Sequence, residues 1–234
     1  KPPSVSEVID GYANNLSETA FVSINESPIN IRWFTPSIEV DLCGHATLAS
    51  AKILFEHYPN LAGNEIKFDS KSGALKVTSS EEKLCLNFPT DQPVESTLDP
   101  IFIEILGTRP LELLRGKDDY LAVFKNQRQI ESMQPNFSLL KKINSRGMVI
   151  TSPGDKVDFV SRCFYPEAGI EEDPVTGSAH TMLTPYWANQ LKKDELEAHQ
   201  LSKRGGKLFC KLAGDRVFIS GTSVIYFDGI ISIV

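Results

Sequence analysis

The sequence predicts an α+β protein of two similar halves, each a strand-rich layer wrapped around one buried helix. Three observations predict it. Two phrases share one plan: FTPSIEVDLCGHATLAS runs from Phe34 to Ser50, and FYPEAGIEEDPVTGSAH from Phe164 to His180. Each opens on an aromatic-X-Pro step at the end of a strand-like run, crosses an acidic stretch, and reaches Gly and small polar residues where a helical pattern begins. Outside them, most of the chain alternates apolar and polar residues at the strand period. The helical stretch after the first phrase is apolar or small almost all round, the pattern of an enclosed helix rather than one laid on a surface.

In chain order, Phe21–Ile24 reads as strand and Ala46–His57 as the first principal helix. Ile66 and Phe68 alternate with charged residues, and Leu75 and Val77 continue after the turn-like Lys71-Ser72-Gly73, predicting a hairpin with one wet face. Asp99–Leu106 reads as a shorter helix, and Pro153-Gly154-Asp155 separates the strands Met148–Ser152 and Val157–Phe164. Ser178–Leu191 is the second principal helix; Pro185 removes a backbone donor and predicts a kink or break near Thr184. Leu208, Cys210 and Leu212 alternate up to Gly214-Asp215, and Val217-Phe218-Ile219 follows. A further turn at Asp228-Gly229 separates Val224–Phe227 from Ile230–Val234. The expected division is 1–98 and 99–221, with a strand over 222–234 returning to the first half. Two amphipathic core helices in an ordinary α+β protein are the alternative that pattern alone leaves open.

Composition narrows the function classes. Of 234 residues, 41% are hydrophobic and the formal net charge is −6, which disfavours a nucleic-acid partner because phosphate binding wants a basic surface. The most basic cluster, Lys203-Arg204-Gly205-Gly206-Lys207, is too short to change that. No apolar run approaches the roughly 18 residues of a membrane span, and no secretory leader is visible, so no membrane partner is expected. Cys43, Cys85, Cys163 and Cys210 are scattered without CxxC pairing, predicting free thiols and a cytoplasmic location. The chain opens on Lys1 rather than Met, so the first half is expected either to lack its natural beginning or to be abbreviated.

The repeated phrase also carries chemistry. Amides at a strand-to-helix junction have no partner within the helix, and the helix dipole adds partial positive charge there. One such turn is a cradle for a carboxylate or phosphate. Two related turns, about 130 residues apart, predict a duplicated fold gripping one small anion between its halves, hence an enzyme.

The segments Asn15-Leu16-Ser17-Glu18-Thr19-Ala20-Phe21, Asp41-Leu42-Cys43-Gly44-His45-Ala46-Thr47 and Glu172-Asp173-Pro174-Val175-Thr176-Gly177-Ser178-Ala179-His180 resemble the signature stretches of the phenazine-biosynthesis PhzF-like family, related in fold to diaminopimelate epimerase. The resemblance spans nearly the whole chain, with FTP before the first helix segment and FYP before the second. The Asp-Ala-Phe strand and Gly-Asn-Pro turn with which members usually open are not present. The resemblance implies two β-barrel-like mixed sheets, each around a central helix, a cleft between them, a homodimer, and a cofactor-independent isomerase. It places the general acid/base at Glu18, with His45 and Asp173 orienting the substrate or relaying a proton. Gly44, Ala46, Gly177 and Ser178 would hold the substrate's carboxylate.

Each residue also has a plainer reading. Ser17 and Glu18 sit at an element boundary where a capping box is common, and Glu18 could simply face solvent. Asp173 suits an N-cap, and His45 suits a buried, satisfied histidine. A catalytic Glu18 shielded from water would have its charged form disfavoured. A His45 at a helix start would be pushed toward neutrality by the dipole. Cys43 resembles the first cysteine of two-thiol epimerases of this fold, but Pro174 stands where the second thiol would be, and a lone Cys43 is more often a packing residue. His45, His57, His180 and His199 show no ligand-like spacing, so no metal is expected. The competing functions are a non-catalytic ligand-binding or interaction scaffold, and an epimerase or racemase using Cys43.

Overall fold

A computed structural model of the chain describes residues 18–25, 27–35, 38–80 and 83–229. The first run of elements is β1 (Thr19–Ser23), β2 (Ile29–Phe34), β3 (Glu39–Val40), helix α1 (Gly44–His57), the short α2 (Pro59–Ala62), β4 (Glu65–Ser70), β5 (Gly73–Ser80) and β6 (Lys83–Pro89). A connecting stretch holds β7 (Val94–Glu95), α3 (Pro100–Leu106), β8 (Glu112–Arg115), β9 (Asp119–Val123), α4 (Gln127–Ser132) and α5 (Phe137–Leu140). The second run is β10 (Gly147–Pro153), β11 (Phe159–Tyr165), β12 (Ile170–Asp173), α6 (Gly177–Leu191), β13 (Glu195–Gln200), β14 (Gly206–Ala213) and β15 (Arg216–Gly221).

The two runs repeat one topology. β1 pairs antiparallel with β2, β2 parallel with β4, and β4, β5 and β6 follow as antiparallel neighbours. In the second run β10, β11, β13, β14 and β15 take the same order and the same directions. The last strand of each run then pairs with the other, β15 antiparallel to β6 from Arg216↔Pro89 to Gly221↔Leu84, so the mixed sheet is continuous. The strand that returns to the first half is therefore β15. Over its described part, 222–229, the strand expected at 222–234 does not form, and Val224, Tyr226 and Phe227 are exposed there.

The hairpin expected around Lys71–Gly73 is present, with Ile66 opposite Val77 and Phe68 opposite Leu75, all buried, while the intervening charged residues stay wet. Helices α1 and α6 lie inside the sheet's curve and share one core with Trp33, Phe68, Leu86, Phe159, Leu183 and Trp187. The second half carries more than one helix. β10 and β11 are buried on both faces, and α3, α4 and α5 cover their outer side with Phe102, Ile105, Ile130 and Leu140. A strand covered twice reads as an unbroken apolar run, as Met148-Val149-Ile150 does.

Pro185 does not break α6, which runs unbroken through it. The carbonyl that proline leaves without its helical donor is that of Thr181. It accepts instead from the Asp91 amide at 3.1 Å, so the missing bond is replaced from outside the helix.

The two principal helices touch at their first residues. A Cβ added to Gly44 would stand 3.2 Å from the Gly177 Cα, and one added to Gly177 would stand 3.3 Å from the Gly44 Cα. These obstacles are backbone held by two buried helices, which yields less readily than the end of a flexible side chain. Gly177→Ala is therefore expected to cost about 1–3 kcal/mol and several degrees of thermal midpoint, read by circular dichroism melting; an unchanged midpoint would contradict this packing.

His180, buried in α6, gives a second expectation. Its Nδ1 donates to the Thr176 carbonyl at 2.7 Å, its ring packs against Phe159, and burial lowers its pKa from 6.5 to about 4. The unfolded chain then takes up this proton first, so stability is lost as pH falls from about 6.5 toward 4, by at most about 3 kcal/mol. Melting the wild type and His180→Gln across this window should give a steeper decline for the wild type.

Candidate active site

One cleft of about 810 Å³ receives both helix starts, and its walls include Glu18, Cys43, Gly44, His45, Asp173, Gly177 and Ser178. Ala46, expected among them, does not line it. Its methyl packs into the core and its amide is turned to the Cys43 sulfur.

Glu18 immediately precedes β1. Its side chain is 10% exposed, which removes the solvent-facing reading, and its Oε2 lies 3.2 Å from His45 Nε2. The contact is an ion pair rather than an aligned hydrogen bond, since buried Oε2 has no hydrogen-bond partner among the described residues. Ser17, the other member of the expected capping box, lies outside the described residues.

His45 is the second residue of α1, and its Nδ1 is 3.1 Å from the Val175 carbonyl oxygen, 130 positions away. A carbonyl only accepts, so Nδ1 is the donor. A neutral ring would then present a bare Nε2 to the Glu18 carboxylate, two acceptors face to face. The pair is favourable only when one proton is shared between them. The expected neutral histidine is corrected accordingly. Burial still opposes the charge, but the Cys43 sulfur, Glu18 and Asp173 around the ring outweigh it and raise the His45 pKa above its ordinary value. Burial raises the pKa of the Cys43 thiol, keeping it protonated, so the anionic charge comes from the two carboxyl groups.

Asp173 closes β12 and is buried, and burial pushes its carboxyl above the usual range, with the charge of His45 opposing and that of Glu18 adding. Its Oδ2 accepts from the Thr176 hydroxyl, while Oδ1 is buried without a hydrogen-bond partner among the described residues. It does not cap α6, whose N-cap position is Thr176. Of these buried oxygens in residues that line the cleft, Glu18 Oε2 is met by the His45 ring, while Asp173 Oδ1 is desolvated and unbonded among the described residues. Such an atom is costly to bury unless a ligand meets it.

The sequence reading missed the residue that holds this turn. Gln200, at the end of β13, is 1% exposed. Its Oε1 accepts the Thr176 amide at 2.7 Å, and its Nε2 donates to the Asp173 carbonyl at 2.8 Å and the Thr176 hydroxyl oxygen at 3.2 Å. Ser202 adds a bond to the Pro174 carbonyl at 2.8 Å. Nothing local marks Gln200, because its partners lie more than twenty residues back. The Thr176 amide is thereby consumed, and Gly177 and Ser178, the next two residues of the helix start, line the cleft.

Cys43 Sγ sits 3.7 Å from His45 Nδ1 and 3.8 Å from Nε2. The thiol nearest the second phrase, Cys163, lies opposite Asp173 in the strand register, is fully buried and has its pKa raised by that burial. It does not line the cleft. All four cysteines are free. One ligand atom each from Glu18, Cys43 and His45 falls within 4.8 Å of the others, close enough for a divalent ion. Sequence spacing could not reveal this cluster, which tertiary folding assembles. The protonated thiol and the proton-sharing pair suit it better to holding protons. Among the described residues, no helix is long and apolar enough to cross a membrane.

Comparison with known proteins identifies the family and the fold. A family model described as phenazine biosynthesis-like protein matches residues 12–229. An uncharacterized isomerase of Halalkalibacterium halodurans is 48% identical over 213 residues, 90% of this chain and 80% of the relative. An uncharacterized isomerase of Pseudomonas aeruginosa is 46% identical over 216 residues, 92% of this chain and 82% of the relative. The crystal structure of a PhzF-family phenazine biosynthesis protein from Enterococcus faecalis superposes with a TM-score of 0.90 at 42% identity, covering 97% of this chain and 87% of that one. With its repeated strand order and two helix starts meeting in one cleft, the chain belongs to the phenazine biosynthesis-like protein family.

Proposed function

We propose that the protein is a cofactor-independent isomerase that moves a proton between two carbons of a small carboxylate-bearing metabolite. The observation that carries the reading is the Glu18–His45 pair, with His45 Nδ1 tied to Val175 of the other half. The raised pKa of His45 leaves the shared proton on the ring. Glu18 takes a proton from a carbon activated by the substrate's carboxylate. The C–H electrons pass into the conjugated system, and Glu18, whose acquired proton can exchange with solvent, returns one proton at a second carbon. No atom or electron is gained or lost. Charge that develops on the carboxylate is met by the Gly44, Gly177 and Ser178 amides, and Asp173 orients the substrate's polar groups. Names of relatives as isomerases support the class. A two-thiol epimerase finds no support, since Pro174 stands in the sequence where the second thiol would be and Cys163 is buried.

The proposal carries its context with it: two halves divided at 98/99, a cytoplasmic location suited to four free thiols, and a homodimer built on sheet contacts. Light scattering at micromolar concentration should return about twice the 25.9 kDa chain mass. A monomer mass would remove the dimer and leave the chemistry untouched.

Glu18→Gln keeps size and hydrogen bonding but removes acid/base capacity. Against a metabolite panel followed by solvent deuterium incorporation, it should lower exchange at least about 10²-fold with little change in binding. Cys43→Ala should stay within about tenfold of wild type, and Asp173→Asn should fall between. An active Glu18→Gln beside a dead Cys43→Ala would sink the mechanism in favour of thiol chemistry. Exchange absent from the wild type across the panel would favour the scaffold.

A further inference from the structure

The arginines of this protein are not all accounted for by its own carboxylates. Arg32 forks onto Glu39 at 2.7 and 2.8 Å, and Arg162 onto Glu172 at 2.6 and 3.0 Å. Arg146 forks onto Asp119, its Nε donating at 2.9 Å. Arg216 differs. Its Nε donates to the Asn87 side-chain oxygen at 2.7 Å and its Nη2 to the Asn87 carbonyl at 3.1 Å, both neutral acceptors. Among the described residues no carboxylate forms an ion pair with it. A guanidinium held this way is oriented without being neutralised, and Nη1 is left over. Arg is the side chain best shaped to meet a carboxylate or phosphate with paired donors.

Its position gives that charge a use. Arg216 opens β15, Asn87 lies on the adjoining β6, and both line the cleft that holds Glu18 and the helix starts. Of the other acids on the same walls, Glu39 is engaged by Arg32 and Lys71 and Asp91 by the Lys117 amide, while Asp41 and Asp118 form no ion pair with Arg216. A cleft of about 810 Å³ is far larger than one carboxylate requires. We propose that Arg216 anchors a second anionic oxygen group of the substrate. The substrate class is then a small dianion: one carboxylate at the helix starts, and a carboxylate or phosphate at Arg216. This rests on reading the cleft as a carboxylate-binding isomerase site.

The test uses ligand-observed NMR titration of the intact protein with pentanoate, glutarate and 4-phosphonobutyrate, and with succinate and adipate to vary reach. The wild type should bind at least one dianion about tenfold more tightly than pentanoate, the better one identifying carboxylate or phosphate. Arg216→Gln should shrink that advantage to within about twofold, and Arg216→Lys should keep part of it, with pentanoate affinity unchanged in both. Melting curves check that both variants are folded; if Arg216→Gln is not, the partial loss in Arg216→Lys decides. Pentanoate binding with no dianion preference in the wild type, or a preference that survives Arg216→Gln, overturns the proposal for Arg216 alone. Failure of every ligand to bind overturns the carboxylate-site reading and this proposal together.

Discussion

Two helices from opposite halves start so close together that Gly44 and Gly177 meet backbone to backbone, and the rest of the site follows from that contact. Helix starts carry unpaired amides and partial positive charge. Like ends repel, so bringing two together is unfavourable unless packing forces it and something negative lies between. Here the force is the sheet. Antiparallel pairing of β6 with β15 closes the two runs onto one another, and each helix is enclosed by strands of its own run. The negative groups are Glu18 and Asp173, both desolvated at the junction.

Because the halves are locked face to face, His45 of the first can donate to Val175 of the second. That bond fixes the tautomer, and the tautomer makes the Glu18 contact a proton-sharing one. The support continues behind the site. Gln200 ties Asp173 to Thr176, and the same glutamine removes the Thr176 amide from the cleft. Among the described residues lining the cleft, this framework leaves one oxygen of Asp173 unsatisfied, while Glu18 Oε2 has only the His45 ring to meet it. A site held rigid with a polar atom unmet is organised before its ligand arrives, so little reorganisation is required on binding.

The duplication reaches into the side chains. Arg32–Glu39 and Arg162–Glu172 each join the strand before a helix phrase to the acidic stretch within it, at equivalent places in the two runs. The halves diverge where their surroundings differ. β10 and β11 carry apolar residues on both faces and are covered by α3, α4 and α5. In β4 and β5 every second residue is wet, and a single buried face suffices.

Periodicity and turn chemistry act over a few residues, and what depends on them was legible in the sequence. The hairpins at Lys71–Gly73 and Gly214-Asp215, the enclosed first helix, and the repeated phrase with Gly44 and Gly177 at its helix starts were all readable without a structure. So, through the family's motifs, was the placement of Glu18, His45 and Asp173. Tertiary structure decided what depends on distant partners. Pro185 stays within α6 because Asp91, over ninety residues earlier in the chain, supplies the donor that proline withholds. Burial opposes the charge on His45, yet its pKa is raised rather than lowered because the Cys43 sulfur, Glu18 and Asp173, brought around the ring by the fold, outweigh it. Ala46 belongs to the core because the helix turns its methyl inward. Gln200, Val175 and Arg216 carry no local mark, since each is defined by a contact spanning from 24 to 130 positions. Local sequence determines which elements form; the closing of one half on the other determines which charges meet, because electrostatic partners are chosen by distance in space.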